Sequence, residues 1–235
     1  MSSTASPVPQ PPLWKEALGA IRTNFAPGLV LWVIASAVVF AYYAVPSSKD
    51  AFAVVAGWKA QGGFLFSIVS TGLFAGVIPF LFLWARRTTR GGLTWGTFVF
   101  MTLFWAYRGL EIDAFYRLQG LVFGNEPTLG AVAAKVACDM FLYNVIWAAN
   151  LQLLLYHWKN SGFRATAFRG FPWREYGVRR WPVALVSTWV VWLPVVTLTY
   201  SLPANLQIPL FNLAACFWSL VMATLTGKKP LPGDA

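Results

Sequence analysis

Long apolar stretches separated by short polar segments dominate the chain. Most of them approach the length of about 20 residues that a helix needs to cross the hydrocarbon of a bilayer. Lipid-exposed sheet edges are excluded, and the ten-residue alternation of a β-barrel is missing, so the pattern predicts helices. The candidate spans are Gly28 to Val45, Phe64 to Ala85, Leu93 to Tyr107, Ala131 to Trp158, Pro182 to Leu202 and Leu206 to Leu225.

Two details refine these boundaries. The third candidate is short for a spanning helix, so we expect it to extend to Glu111 or beyond. Only Pro203, Ala204 and Asn205 separate the last two candidates. Such a short connection predicts a tight turn between antiparallel helices.

The polar N-terminal segment has an amphipathic pattern of its own. Trp14, Leu18, Ile21 and Phe25 recur at helical spacing, which predicts a short interfacial helix lying on the membrane surface. The predicted organisation is an N-terminal segment, a single transmembrane helical bundle and a polar C-terminal tail, over residues 1–27, 28–225 and 226–235.

Composition supports a membrane protein. Hydrophobic residues make up 57% of the chain and charged residues 11%, against about 25% charged residues in ordinary soluble domains. The predicted fold class is therefore all-α: a polytopic integral membrane bundle of about six helices. The net charge of +10 is carried mostly by short loops between apolar stretches, so it indicates membrane orientation and no nucleic-acid partner.

The basic residues also orient the predicted spans. Thirteen Lys and Arg residues fall in the N-terminal segment, the second and fourth loops and the tail, whereas four fall on the opposite side. The positive-inside rule then predicts that both termini lie on the cytoplasmic or matrix side. The thirteen are Lys15, Arg22, Arg86, Arg87, Arg90, Lys159, Arg164, Arg169, Arg174, Arg179, Arg180, Lys228 and Lys229.

The fourth loop, residues 163–181, interleaves five arginines with aromatic side chains. One interpretation is a basic, aromatic collar at the level of the lipid headgroups. The other is recognition of anionic lipid. The five residues are Arg164, Arg169, Arg174, Arg179 and Arg180.

Ionisable side chains inside the predicted spans are functional candidates, because they are costly in lipid. Lys135 and Asp139 are one helical turn apart and are expected to pair, and Asn150 should return to the face of Asp139 after three turns. Arg108 and Glu111 form a second expected pair. One interpretation is the polar lining of a cavity or pore, and the other is a sealed core in which these groups serve packing. Asn144 and Gln152 are expected to project elsewhere.

The sequence offers little for catalysis. Its only histidine, His157, lies at the end of a span beside Trp158, where an interfacial ring is expected. No zinc-ligand cluster, phosphate-binding glycine loop or serine nucleophile elbow occurs in the sequence. We therefore predict no enzymatic activity, no cofactor and no metal.

Part of the chain resembles a known family. Residues 109–119 read GLEIDAFYRLQ, followed by a turn over residues 124–127, then Lys135 and Asp139. This spacing resembles the small membrane-protein family that includes the Mpv-seventeen protein and the twenty-two-kilodalton peroxisomal membrane protein. Where that family has Pro, His and Gln, this chain has Leu110, Asp113 and Met140. Further similarities are Trp181 with Pro182, and Pro203 followed by Trp218.

The resemblance implies a compact helical bundle that passes small solutes, in a bacterial cytoplasmic membrane or in a mitochondrial inner or peroxisomal membrane. We therefore expect a pore or channel-like protein. The alternative is a structural or accessory protein that organises lipid or partner helices. The expected partners are the lipid bilayer, including anionic lipids, and the sequence leaves open whether the chain forms a homo-oligomer.

Overall fold

The computed structural model describes residues 12–86 and 91–226, with side chains up to residue 220. This part of the chain is helical and contains no strand, which confirms the predicted all-α class. Its long helical segments are α1 (Leu13–Ala44), α2 (Pro46–Ala85), α3 (Trp95–Phe123), α4 (Leu129–Asn160), α5 (Trp173–Tyr200) and α6 (Ala204–Thr226).

Four of these segments, α1, α2, α4 and α5, are long and apolar enough to cross a membrane. This finding is compatible with an integral membrane protein. The count of about six spans stays a prediction. Arg87, Arg90, Lys228 and Lys229, which the charge pattern uses, lie outside the described residues.

The predicted N-terminal helix is not separate from the first long helix. Residues 13–44 form one continuous helix, with Pro27 inside it. Contacts with α5 explain why the N-terminal part stays aligned with the rest: Arg179 Nη2 donates to Glu16 Oε1 at 2.8 Å, and Asn24 bonds Ser187. The prediction of a helix boundary near residue 27 was therefore wrong.

Two other predictions, the extension of the third span and the tight turn between the last two helices, are confirmed. Helix α3 extends past Glu111 to Phe123. A tight turn joins α5 to α6, but it comprises residues 201–203, because Ala204 already begins α6.

Contacts along the helices give their relative directions. On α2 and α3, Lys59 pairs with Asp113, whereas Gly76, further along α2, faces Met101, nearer the start of α3. These two helices are therefore antiparallel. The bundle has two ends: the basic end, where α2 ends, α3 begins and the connection 161–172 lies, and the turn end, with connections 45, 124–128 and 201–203.

Departures from regular α geometry in α2 and α4 affect buried polar groups. Gly63 in α2 has φ 52° and ψ −129°, a conformation that glycine adopts without steric cost. Its carbonyl leaves the regular helical ladder and accepts a hydrogen bond from Lys59 Nζ at 3.2 Å. Helix α4 contains a ten-residue π-helical segment, Asp139–Ala148, and such segments are frequent at functional sites.

Close packing of α2 on α3 requires a glycine. A Cβ built on Gly109 would lie 2.2 Å from the carbonyl oxygen of Ser67 and 2.7 Å from Thr71 Oγ1. The backbones therefore approach each other more closely than any side chain allows, as small residues permit in membrane bundles.

We expect Gly109→Ala to lower the free energy of unfolding in detergent micelles by at least about 1–3 kcal/mol, because the added methyl group must push α2 and α3 apart. The matched control is Gly57→Ala, where the new Cβ meets nothing within 4 Å, and which should be neutral or stabilising by up to about 1 kcal/mol. Equal stability of the two variants would contradict this account of the α2–α3 contact.

Candidate functional site

The first buried charge cluster joins α3 to α4. Nη1 of Arg108 donates to both carboxylate oxygens of Glu111, at 2.9 and 2.8 Å, and to the hydroxyl of Tyr143 at 3.1 Å. Tyr143 in turn donates to Glu111 Oε1 at 2.5 Å. The structure thus contains the expected pair of Arg108 and Glu111 and adds a tyrosine from the neighbouring helix.

The second cluster joins α3, α4 and α5. The hydroxyl of Tyr200 donates to Asp139 Oδ2 at 2.7 Å and accepts from Gln119 Nε2 at 2.5 Å. All three side chains are buried. The carboxylate of Asp139 is therefore bound by a hydrogen bond from a neutral hydroxyl group.

The expected pair between Lys135 and Asp139 does not form. Asp139 Oδ2 turns instead to Tyr200, and Lys135 Nζ lies 5.9 Å from the centroid of the Tyr200 ring. Both side chains therefore interact with one tyrosine of α5, the lysine with its π face and the carboxylate with its hydroxyl.

The third cluster lies near the turn end, between α2 and α3. Asp113 Oδ2 accepts from Lys59 Nζ and from Ser67 Oγ, both at 2.8 Å. Its other oxygen, Oδ1, accepts from Arg117 Nε at 3.1 Å. The apolar pattern of the sequence does not reveal this network, because Lys59 precedes the predicted second span, which begins at Phe64. The structure buries Lys59 in α2, 54 positions from its partner, and no local pattern reveals such a contact.

A cavity of about 200 Å³ lies between α3, α4, α5 and α6. We call it the basic-end cavity, because along α3 it extends from Tyr116 back toward Trp105. Its polar lining consists of Arg108, Tyr116, Asp139, Tyr143, Asn144, Gln152, Ser187 and Thr188, and its apolar lining includes Trp105, Ile112, Met140, Leu153, Trp192, Phe211 and Trp218.

A second cavity, of about 540 Å³, lies at the turn end, and we call it the turn-end cavity. It is lined by the buried pair of Lys59 and Asp113 and by polar side chains from the ends of α3 and α6. Tyr116 lines both cavities. Its ring, only 8% exposed, packs edge-on against Tyr200 at 5.0 Å between centroids.

The prediction that Asp139 and Asn150 share one polar face of α4 is only partly correct. Asp139 lines the basic-end cavity, but Asn150 does not: its Nδ2 donates to the Val145 carbonyl at 2.9 Å, and its Oδ1 accepts from the Tyr176 hydroxyl at 2.6 Å. Asn144 and Gln152, expected to project elsewhere, face the cavity instead. The π-helical segment is the reason, because each of its residues turns through a smaller angle than in an α-helix.

Of the other three residues predicted to line a polar cavity, only one does so. Arg108 lines the basic-end cavity, whereas Glu111 adjoins it through Arg108 and Lys135 lines neither cavity. The predicted set thus contributes two of its five members, Arg108 and Asp139, to a single cavity.

The arginines of the fourth loop have different environments. Arg179 pairs with Glu16, and Arg180 pairs with Glu175 at 2.9 Å. Arg164, Arg169 and Arg174 are exposed and form no ion pair with any described residue. Among the arginines of this loop, these three are therefore the ones that are exposed and have no ion pair with a described residue.

Nothing among the described residues suggests a metal centre, since no group of three His, Cys, Asp or Glu side chains could hold an ion there. His157 Nε2 lies 3.1 Å from the carbonyl oxygen of Ala167, which ties α4 to the connection that follows it. Comparison of the chain with protein-family models, with curated proteins and with solved structures finds no match.

We expect Asp113→Asn to lower the free energy of unfolding by about 3–5 kcal/mol, because it leaves the Lys59 charge buried without a compensating carboxylate. Chemical unfolding in mixed micelles, followed by tryptophan fluorescence, measures this loss. The control is Glu175→Gln, which removes the half-exposed partner of Arg180 and should cost only about 0–1 kcal/mol. Similar losses in both variants would contradict a buried ion pair.

Proposed function

We propose that this chain is a multi-pass membrane protein whose helical bundle provides a pathway for small polar solutes. The observation that supports the proposal best is the presence of two cavities in series, each with charged and polar side chains in a partly apolar wall, which share Tyr116 as a common wall. A pathway through a bundle needs polar lining on both sides of any constriction.

The order of residues along the helices supports the arrangement in series. On α3, the basic-end cavity is lined by residues between 105 and 116, and the turn-end cavity by residues between 113 and 121. On α6, the turn-end cavity is lined by Ala204, Asn205, Gln207 and Ile208, whereas Phe211 and Trp218 line the other. Both helices therefore pass from one cavity to the next along their own axes.

The aromatic contact at Tyr116 makes this conformation a closed one. The Tyr116 ring packs on Tyr200, and Tyr200 is held by hydrogen bonds from Gln119 and to Asp139. Passage then requires a small displacement of Tyr116. We propose that this tyrosine acts as the gate.

Charge at the two ends favours one orientation. Among the described residues, Lys15, Arg22, Arg86, Lys159 and the arginines of the fourth loop lie toward the basic end. By the positive-inside rule, this charge favours the cytoplasmic or matrix side for that end. A bacterial cytoplasmic membrane or an organellar membrane fits this orientation. Membership of the Mpv-seventeen family remains part of the proposal, supported by the spacing from Gly109 to Asp139.

The competing function is that of an accessory protein that organises anionic lipid. The exposed, unpaired Arg164, Arg169 and Arg174 favour it. A protein of this kind would need no conducting pathway, so recordings of conductance separate the two functions.

We expect Asp139→Asn to shift the ion preference of the pathway from cations toward anions, because it removes a negative charge from the cavity wall while Tyr200 can still donate to the amide oxygen. Reversal potentials in a potassium chloride gradient across planar bilayers measure the change. Glu175→Gln, a carboxylate outside both cavities, serves as the control and should leave the potential unchanged. Unchanged conductance and selectivity in Asp139→Asn would remove Asp139 from the pathway, and silence of the unmodified protein would favour the accessory function.

Truncating the shared wall should open the pathway. We expect Tyr116→Ala to raise single-channel conductance or open probability severalfold, because the two cavities then merge. Phe104→Ala is a matched control: Phe104 lies on the same helix, is equally buried and lines neither cavity, so its truncation costs similar stability, about 3–5 kcal/mol, without joining them. An equal rise in both variants would show that loosening of the bundle, and no specific gate, controls conductance.

A further inference from the structure

The guanidinium of Arg108 uses only one of its terminal nitrogens. All its hydrogen bonds to described residues are made by Nη1, with Glu111 and Tyr143 as acceptors. Nε is buried without a partner, although the residue is only 7% exposed. The edge formed by Nε and Nη2 binds carboxylates bidentately in other proteins, and here it is unused within the part of the chain that the structure describes.

The carboxylate of Asp139 lines the same cavity and is also incompletely used. Its Oδ2 accepts from Tyr200, while Oδ1 receives no hydrogen bond from any described residue. Lys135, one turn away, is directed to the ring of Tyr200. Asp139 therefore offers a charged acceptor that a ligand ammonium group could fill.

The rest of the lining limits the size and character of a ligand. The cavity holds about 200 Å³, below the roughly 300–1,000 Å³ of sites for drug-sized molecules. Aromatic and aliphatic side chains such as Trp105, Met140 and Trp192 form much of its wall. A small molecule with one compact apolar group fits this description.

We propose that the basic-end cavity binds a small zwitterionic solute of the amino-acid type, with its carboxylate on the Nε and Nη2 edge of Arg108 and its ammonium on Oδ1 of Asp139. This inference rests on the proposed pathway and names the class of solute that enters it. Glu111 already balances the charge of Arg108, so carboxylate recognition comes from the unused N–H groups, while ammonium recognition comes from the charge of Asp139.

A solute that carries only one of the two charged groups satisfies only one of these sites. A carboxylate without an ammonium group meets the negative charge of Asp139, and an amine without a carboxylate leaves the N–H groups of Arg108 unpaired. Buried polar groups left without partners make a site reject such analogues.

The test measures equilibrium binding to the full chain in lipid nanodiscs by calorimetry. The probes are leucine, leucinamide, which lacks the carboxylate, and N-acetylleucine, which lacks the ammonium group, with alanine and phenylalanine as smaller and larger zwitterions. We expect leucine to bind about tenfold or more tightly than leucinamide and N-acetylleucine, as the loss of a hydrogen bond to a charged group predicts.

Variants assign each half of the ligand to its residue. Asp139→Asn should abolish the preference for leucine over N-acetylleucine. The double variant Arg108→Gln, Glu111→Gln removes the ion pair as a unit, which avoids an unpaired buried charge, and should abolish the preference for leucine over leucinamide. The control, Arg180→Gln with Glu175→Gln, removes an ion pair outside the cavity and should preserve both preferences.

Equal binding of the three leucine compounds, or binding of none of the zwitterions, would overturn the inference. Because binding is measured without passage, its failure is distinct from that of the pathway. A conducting protein without this selectivity keeps the pathway and loses the zwitterion site, whereas a protein that binds zwitterions selectively but does not conduct keeps the site and loses the pathway.

Discussion

Ionisable side chains that are removed from water must find their partners within the protein, and three such networks connect the helices of this bundle. Lys59 and Asp113 join α2 to α3, Arg108 and Glu111 reach Tyr143 on α4, and Asp139 is bound by Tyr200 of α5. In an apolar environment each unpaired group would cost several kcal/mol. These pairings determine which helices lie side by side and how they are positioned relative to one another along the bundle axis.

The networks differ in how completely their hydrogen-bonding groups are satisfied. Both carboxylate oxygens of Asp113 are bonded, so that network is closed and serves mainly to hold α2 on α3. Arg108 and Asp139 retain unused hydrogen-bonding capacity next to a cavity. A group that is buried, charged and incompletely paired is a strong indication of a binding site in a membrane protein.

The irregular segments explain how polar groups come to face one another. Gly63 leaves helical geometry and directs its carbonyl toward Lys59. The π-helical segment of α4 turns Asn144 into the cavity together with Asp139, and turns Asn150 away toward Tyr176. Tyr116 is the one residue common to both cavities among the described residues, so the closed contact with Tyr200 and the proposed gate depend on the register of α3 against α5.

The all-α class, the extension of α3 and the tight turn between α5 and α6 were predictable from the sequence, because they follow from apolar length and from prolines and charges close by in the chain. Asp139 and Arg108 could also be identified from the sequence, because each is an ionisable residue in a predicted span. Their partners could not: the α-helical period predicted Lys135 for Asp139, whereas Tyr200, 61 positions away, takes that place. Hydrophobic periodicity thus determines which segments are helices, but only the tertiary structure decides which buried charges meet and where cavities remain, because those contacts depend on helix register and on local departures from α-helical geometry.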